Sequence, residues 1–305
     1  MICDAWGMRR SLLPVVVLAS CAWLAACTPE KEPFARLAGL VLDERLREVS
    51  GIAASRAHAD VLWMVNDGGN DAALYAVSRR GRELARLELE GVANTDWEDL
   101  AAFERDGRHY LLVADTGDNG GLRRTLQLHV VEEPDALEDG RLKPAWSIVF
   151  RWPDGARDCE AVAVDAAADT VLLVSKKRHP AELFALPLKP GAKRQVARRL
   201  GTLGGIPRSS ARERKANPRR ARLRGQVTSA DLSPDGSALA LMTYDDLVIY
   251  RRAAGEEWAK AGARAPKIHR LPWIPQAEAV AWSTSGRGLF ATGEFSPAPL
   301  FYLVP

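Results

Sequence analysis

The sequence is poor in the patterns that usually betray a reaction. It holds four cysteines, and Cys3, Cys21 and Cys27 all fall near its start. Cys159 is left without a disulfide partner and reads as a small buried residue. The fold must therefore be held by its core. Histidine is scarce too: His58, His109, His129, His179 and His269 are scattered, without zinc-ligand spacing. There is no Gly-x-Ser-x-Gly elbow, no His-Glu-x-x-His and no phosphate-binding loop, so covalent serine hydrolysis has no support. No segment keeps a helical period between caps, which argues against α/β folds. The one uncharged apolar run, Ser11 to Trp23, is shorter than the ~20 residues a spanning helix needs.

That run has neighbours that give it another meaning. Met8-Arg9-Arg10 is a short basic start, and Met8 is a candidate initiator. Leu24-Ala25-Ala26-Cys27 supplies small residues at a cleavage point. This layout resembles a bacterial lipoprotein signal peptide over residues 1–27, with Cys27 as the lipidated residue. The resemblance implies a membrane partner reached through the N-terminal lipid, with residues 28–33 as a tether. Thr28, rather than Asp, follows the cysteine, which points to the outer membrane on its periplasmic side.

Formal net charge is only +3, but it is unevenly spread. Arg208 to Arg224 carries eight basic residues against one acid, Glu213, and almost nothing apolar. It reads as a solvated, mobile insertion over about 206–225. An exported chain would not meet nucleic acid, so no nucleic-acid partner is expected. Anionic lipid head groups are the remaining candidate for this stretch.

A repeat organises the rest. It reads Glu48-Val-Ser-Gly-Ile-Ala-Ala, Asp96-Trp-Glu-Asp-Leu-Ala-Ala and Asp158-Cys-Glu-Ala-Val-Ala-Val. It returns as Val227-Thr-Ser-Ala-Asp-Leu-Ser and Gln276-Ala-Glu-Ala-Val-Ala-Trp. The spacings are 48, 62, 69 and 49 residues. Strand-length apolar runs bounded by Gly, Asp, Asn or Pro fill the intervals, for example Val61–Val65, Ala73–Val77, Thr170–Val174 and Leu247–Tyr250. Several strands per repeat of roughly 40–50 residues is the pattern of a propeller blade. The fifth repeat ends one strand short, and Phe34–Leu42 precedes the first repeat without a partner. The expectation is an all-β, five-bladed β-propeller over residues 34–305, closed by its N-terminal strand. A six-bladed ring, with a degenerate blade in 190–225, is the alternative.

Val49-Ser-Gly-Ile-Ala-Ala-Ser, Leu62-Trp-Met-Val-Asn-Asp-Gly-Gly, Asn94-Thr-Asp-Trp-Glu-Asp-Leu-Ala and Val113-Ala-Asp-Thr-Gly-Asp-Asn carry a family likeness. They resemble the phytase-like and SdiA-regulated β-propellers, a group of exported bacterial proteins. The likeness covers most of residues 45–300 and leaves the basic insertion out. It implies a metal-dependent esterase or phosphoesterase, although a full phytase metal and phosphate set does not match this chain.

In a propeller, loops leading into the innermost strands and loops joining second to third strands open on one rim. That rule collects Glu48, Asp67, Asp96, Glu98, Asp115, Asp118, Glu160 and Glu278 at one end of the channel, with Asn66, Asp71, Asn119 and Glu294. Carboxylates crowded this way call for a hard cation with oxygen ligands, and Ca²⁺ is the expected ion. Lys176, Lys177 and Arg178 come beside them, the two lysines as candidate anion-binding groups. Alternative readings stand for each. Asp67 and Asn70 suit turns. Glu98, Glu160 and Glu278 could accept main-chain bonds that lock blades. Trp97, Trp152, Trp273 and Trp282 suit blade packing better than ligand stacking. The sequence supports a lipid-anchored envelope module that binds a small molecule, glycan or protein at its rim; the alternative is the metal-dependent esterase. No catalytic residue is identified.

Overall fold

A computed structural model describes Met1 and residues 33–191 and 194–305. The leader and Cys27 lie outside the described residues. Five antiparallel sheets stand around a common axis as a five-bladed β-propeller, as the repeat predicts. Each blade starts at the axis with the strand the repeat marks. Blade one runs Val49–Ala54, Val61–Asn66, Ala73–Ser78 and Glu83–Leu89. Blade two runs Trp97–Arg105, Arg108–Asp115, Leu126–Glu132 and Trp146–Arg151. Blade three has Ala161–Asp165, Thr170–Val174, Glu182–Pro187 and Arg198–Thr202. Blade four has Val227–Leu232, Ala238–Thr243, Asp246–Arg251 and Lys267–Arg270. Blade five supplies Ala277–Trp282, Leu289–Gly293 and Ala298–Leu303, and Ala35–Val41 completes it.

That closing strand pairs antiparallel with the last, Ala35 opposite Leu303 and Val41 opposite Ala298. The two ends of the domain thus share one blade, with the N-terminal strand as its outer edge. Two other edges are covered differently. Gly140–Leu142 lies parallel along the outer strand of blade one, and Gln195–Val196 along that of blade two. In each case the connection between the third and fourth strands of one blade caps the blade before it. Residues 195–202 are thus edge and outer strand, and no sixth blade forms among the described residues.

The core is divided five ways. Each cluster of buried apolar side chains sits between two neighbouring blades. Trp63 and Trp97 are enclosed between blades one and two, and Trp152 meets Phe184 across blades two and three at 4.9 Å between ring centroids. Burying each such side chain contributes roughly 1.5–3 kcal/mol. The innermost strands are rich in Ala, Gly and Ser because space narrows towards the axis. Four of them, Val49–Ala54, Ala161–Asp165, Val227–Leu232 and Ala277–Trp282, are buried along their whole length.

Polar ties cross between blades in this narrow region. Ser50 Oγ donates to the Trp97 carbonyl at 2.8 Å, and Thr116 Oγ1 to that of Cys159 at 2.7 Å. Thr228 Oγ1 donates to the Ala277 carbonyl at 2.7 Å. Asp99 does most. From blade two its Oδ2 accepts from Val162 N of blade three at 2.8 Å and from Ala230 N of blade four at 3.1 Å. Its Oδ1 accepts from Leu100 N and from Ser229 Oγ, both at 3.0 Å. Ser229 Oγ in turn accepts from Val280 N of blade five at 3.1 Å. Burial pushes this carboxyl well above the ordinary aspartate range, and the four donors pull against it. The three backbone N–H groups among them offer no acceptor for an added proton.

Asp99→Asn keeps the shape but turns an NH₂ towards donors. Each backbone N–H left unpaired costs about 1–3 kcal/mol. Denaturant unfolding is expected to show a loss of about 2–5 kcal/mol for the two N–H groups on Oδ2. An unchanged midpoint and slope would remove Asp99 from its place as the hub.

Candidate acidic channel mouth

The repeated carboxylates owe their position to a backbone irregularity. Four innermost strands slip register by one residue near their start: between Val49 and Gly51, Trp97 and Asp99, Val227 and Ser229, and Ala277 and Ala279. The skipped residues are Ser50, Glu98, Thr228 and Glu278. A bulge of this kind re-aims a side chain. Ser50 and Thr228 use the new direction to tie the next blade. Glu98 and Glu278 make no such tie, and Glu160 holds the same repeat position in blade three. All three are buried.

Crowding and burial show in their acidities. Burial pushes Glu98 well above the ordinary range, and the charges of Glu160 and Asp67 add to this. Burial raises Glu160 to about 8; Lys176 opposes the rise and Asp158 adds to it. Burial, then the neighbouring Glu294, raises Glu278 to about 9. Asp67 rises to about 6 by burial, and Asp96 rises by burial against the pull of Arg123.

Two groups of three carboxylates come together here. Asp67, Asp96 and Glu98 form one, and Glu98, Asp158 and Glu160 the other. Within each, one oxygen per residue lies within 4.8 Å of the others. Glu98 belongs to both, and its buried Oε1 has no hydrogen-bond partner. Two glycines make the room. A Cβ on Gly117 would collide with the carboxylates of Glu98 and Asp96, and one on Gly68 with Asp96 Oδ1. The Gly-rich loops after Asp67 and Asp115 therefore lie directly over the cluster, without side chains between.

The other expected residues surround this centre without joining either group. Glu48 accepts from Asn70 Nδ2 at 2.7 Å on the exposed side. Asp115 Oδ1 pairs with Arg123 at 2.7 Å. Asp118 caps its own turn, accepting from Leu122 N at 2.7 Å and Arg123 N at 3.1 Å. Glu278 Oε1 accepts from the Tyr244 hydroxyl at 2.9 Å. Lys176 is buried, bonded to Glu160, with its Nζ 5.5 Å from the Tyr244 ring centroid. Burial works against its charge, but Glu160, Tyr244 and Glu278 hold its pKa above the ordinary value. It is an internal counter-ion here. Lys177 is exposed and pairs with Asp158 Oδ2 at 2.8 Å and Asn119 Oδ1 at 2.6 Å.

Asp158, Tyr244 and Arg123 are members of this site that the sequence reading did not select. Asp158 had a signal: it stands two residues before Glu160, as Asp96 stands two before Glu98. Tyr244 and Arg123 had none. Trp97, Trp152 and Trp282 are buried as expected, whereas Trp273 is 81% exposed on the Leu271–Pro275 loop. Cys159 is buried, and burial pushes its thiol far above the usual range, so it is no nucleophile. The basic insertion also differs from expectation. It folds into two short helices, Ala211–Ala216 and Pro218–Leu223.

No family model matches the chain, and no curated protein matches it. Solved structures do. The major allergen Mala s 1 of Malassezia sympodialis is similar over 90% of this chain and 96% of its own, at 12% identity and a TM-score of 0.55. A nidogen/laminin complex is similar over 83% of this chain and 74% of its own, at 12% identity and a TM-score of 0.45. The chain is thus similar to Mala s 1 in fold, and at this identity in fold alone.

Proposed function

We propose that this propeller is a binding module whose channel mouth holds a divalent cation. One observation carries the reading: the buried Glu98 Oε1 is unpartnered and common to two groups of three carboxylates. Every donor in both groups is a carboxylate oxygen. That set suits a hard cation, Ca²⁺ first, and no soft, thiolate-seeking metal. A bound cation would neutralise a cluster that otherwise retains protons, beneath the loops that Gly68 and Gly117 bring against it. The signal-like leader supports anchoring through lipid on Cys27, which would present the rim at a membrane of the cell envelope.

The sharing of Glu98 supports a second reading. A carboxylate common to two cation positions suits the paired-metal arrangement of enzymes that split phosphate and acyl esters. The family likeness of the sequence points the same way. The binding reading is preferred because the polar side chains beside the cluster are engaged with one another. Lys176 is paired to Glu160, and Tyr244 to Glu278.

Calcium titrated calorimetrically into the full chain after chelation should bind in the micromolar range and raise the melting temperature. Glu98→Gln should weaken binding about tenfold or more while leaving the chain folded. No heat, with the same melting temperature in chelator and in calcium, would sink the cation. Hydrolysis of phosphate esters by the calcium-loaded chain, lost in Glu98→Gln, would replace the binding reading with the second one.

The raised acidities give a signed pH dependence. Burial raises Glu98 well above 4.5 and Glu278 to about 9, so the folded state keeps protons that the unfolded chain releases near 4.5. Folding binds protons between those values, so stability falls as pH rises across that window. In chelator the melting temperature should drop from pH 5 to pH 9. Calcium should flatten the slope by replacing the protons, and parallel slopes with and without calcium would contradict this.

Cys27→Ser should move the chain from the detergent phase to the aqueous phase on partitioning of expressing cells. A chain that partitions identically with and without Cys27 would not be lipid-anchored there.

A further inference from the structure

The basic insertion makes a cavity that the acidic mouth does not explain. Between its helix pair and the Lys177–His179 loop of blade three lies a cleft of about 970 Å³. Lys177, His179, Arg208, Arg214, Arg222 and Arg224 line it, and no carboxylate does so among the described residues. The size is that of a small-molecule site.

The cleft is built, not merely charged. Ser210 and Glu213 form a capping box on the first helix, and Asn217 Oδ1 accepts from Arg220 N to cap the second. Ala221 is buried beneath the pair. Two arginines fasten it to blade four. Arg220 bonds Asp245 at 2.8 Å, and Arg224 pairs with Glu213 at 3.2 Å and Asp246 at 3.6 Å. Arg208, Arg214 and Arg222 form no ion pair among the described residues. Arg214 only donates to the Ser209 carbonyl. A solvated run would splay such charges apart, but here Arg214 and Arg222 on the fastened helices, with Arg208 on the loop before them, line one concave space. His179 feels the crowding. Burial, then the charge of Arg208, lowers its pKa, so the ring is neutral at pH 7.

We propose that this cleft is an anion site for a phosphate-bearing ligand, recognised by Arg208, Arg214 and Arg222. The guanidinium fork matches phosphate oxygens in pairs, and a multiply charged anion relieves the repulsion among the cations. Ser209 and Gln226 add neutral donors at the wall. The site needs no cation in the channel, because none of its three free arginines touches the acidic groups. A soluble phosphate ester and the headgroup of an anionic lipid share this chemistry.

The test uses the full chain in chelator, so that it stands or falls apart from the cation reading. Inorganic diphosphate is titrated by calorimetry at two salt concentrations. In a second arm, Cys27→Ser chain is floated with phosphatidylglycerol vesicles and with phosphatidylcholine vesicles. Saturable diphosphate binding that weakens with salt is expected. The Arg208→Ala/Arg222→Ala chain should bind about 100-fold more weakly, roughly tenfold per lost charge-assisted contact, with its melting temperature unchanged. Flotation with phosphatidylglycerol alone, lost in the double variant, would also support the cleft and assign it to a headgroup. Binding of neither probe by the parent chain, or equal binding by the double variant, overturns the proposal.

Discussion

The ring depends on one carboxylate at its centre. A propeller blade cannot bury both its faces alone; it needs a neighbour on each side, and the circle must close. Apolar packing between blades is strong but non-directional, and it does not fix how five inner strands meet at an axis. Asp99 supplies that direction. It takes main-chain N–H groups from blades three and four, and through Ser229 it reaches blade five. A buried polar network of this kind is favourable only when every member is satisfied, and here each contact is a donor to an acceptor. The alternatives to this register would leave N–H groups unpaired in a space closed to bulk water.

The same strands that meet at Asp99 also create the acidic mouth, one residue away. The register slip that lets Asp99 face the axis puts Glu98 at the skipped position. Where that position is Ser50 or Thr228, a hydroxyl closes a tie to the next blade. Where it is glutamate, the tie is lost and a buried carboxylate takes its place. The fold tolerates this because neutralisers are near: protons on the raised carboxyls, Lys176 on Glu160, and Tyr244 on Glu278. Structural economy alone would have kept hydroxyls at every blade. Glu98 and Glu278 stand where a hydroxyl tie would be, and with Glu160 they gather charge at one end of the channel.

Much of this was legible in the sequence, and for a physical reason. Strand alternation and turn residues repeat with the blade, so five repeats and the gap in the last fix the blade number and the closure. The convergence of Asp67, Asp96, Glu98 and Glu160 followed from the same periodicity, since residues at one repeat position must meet around an axis. What periodicity does not carry stayed hidden. Tyr244 and Arg123 act from loops whose shape no repeat dictates. Lys176 and Lys177 are adjacent, yet one turns inward to Glu160 and the other outward to Asp158. The helix pair was missed although Ser210-Ala-Arg-Glu213 is a capping box in plain sequence. With only Ala221 buried, it shows no apolar stripe, and its order comes from Asp245 and Asp246 on blade four.

The net charge of +3 conceals how firmly the two signs are separated. Carboxylates gather where bulges and glycine loops bring them, at the axis, and arginines gather on a segment added outside the repeat. Simple attraction would collapse one onto the other. The structure prevents it with two devices. Lys176 and Arg123 occupy the acidic residues nearest the boundary from within the propeller itself, so the insertion is not needed to neutralise them. Asp245 and Asp246 engage Arg220 and Arg224, which fastens the helix pair to blade four. Lys177 is the point of contact between the two regions, pairing with Asp158 of the mouth while lining the cleft. A rim that only needed to be soluble would have had its charges mixed. Opposite charges are thus kept apart, the acids beneath glycine loops at the axis and the free arginines around a cleft.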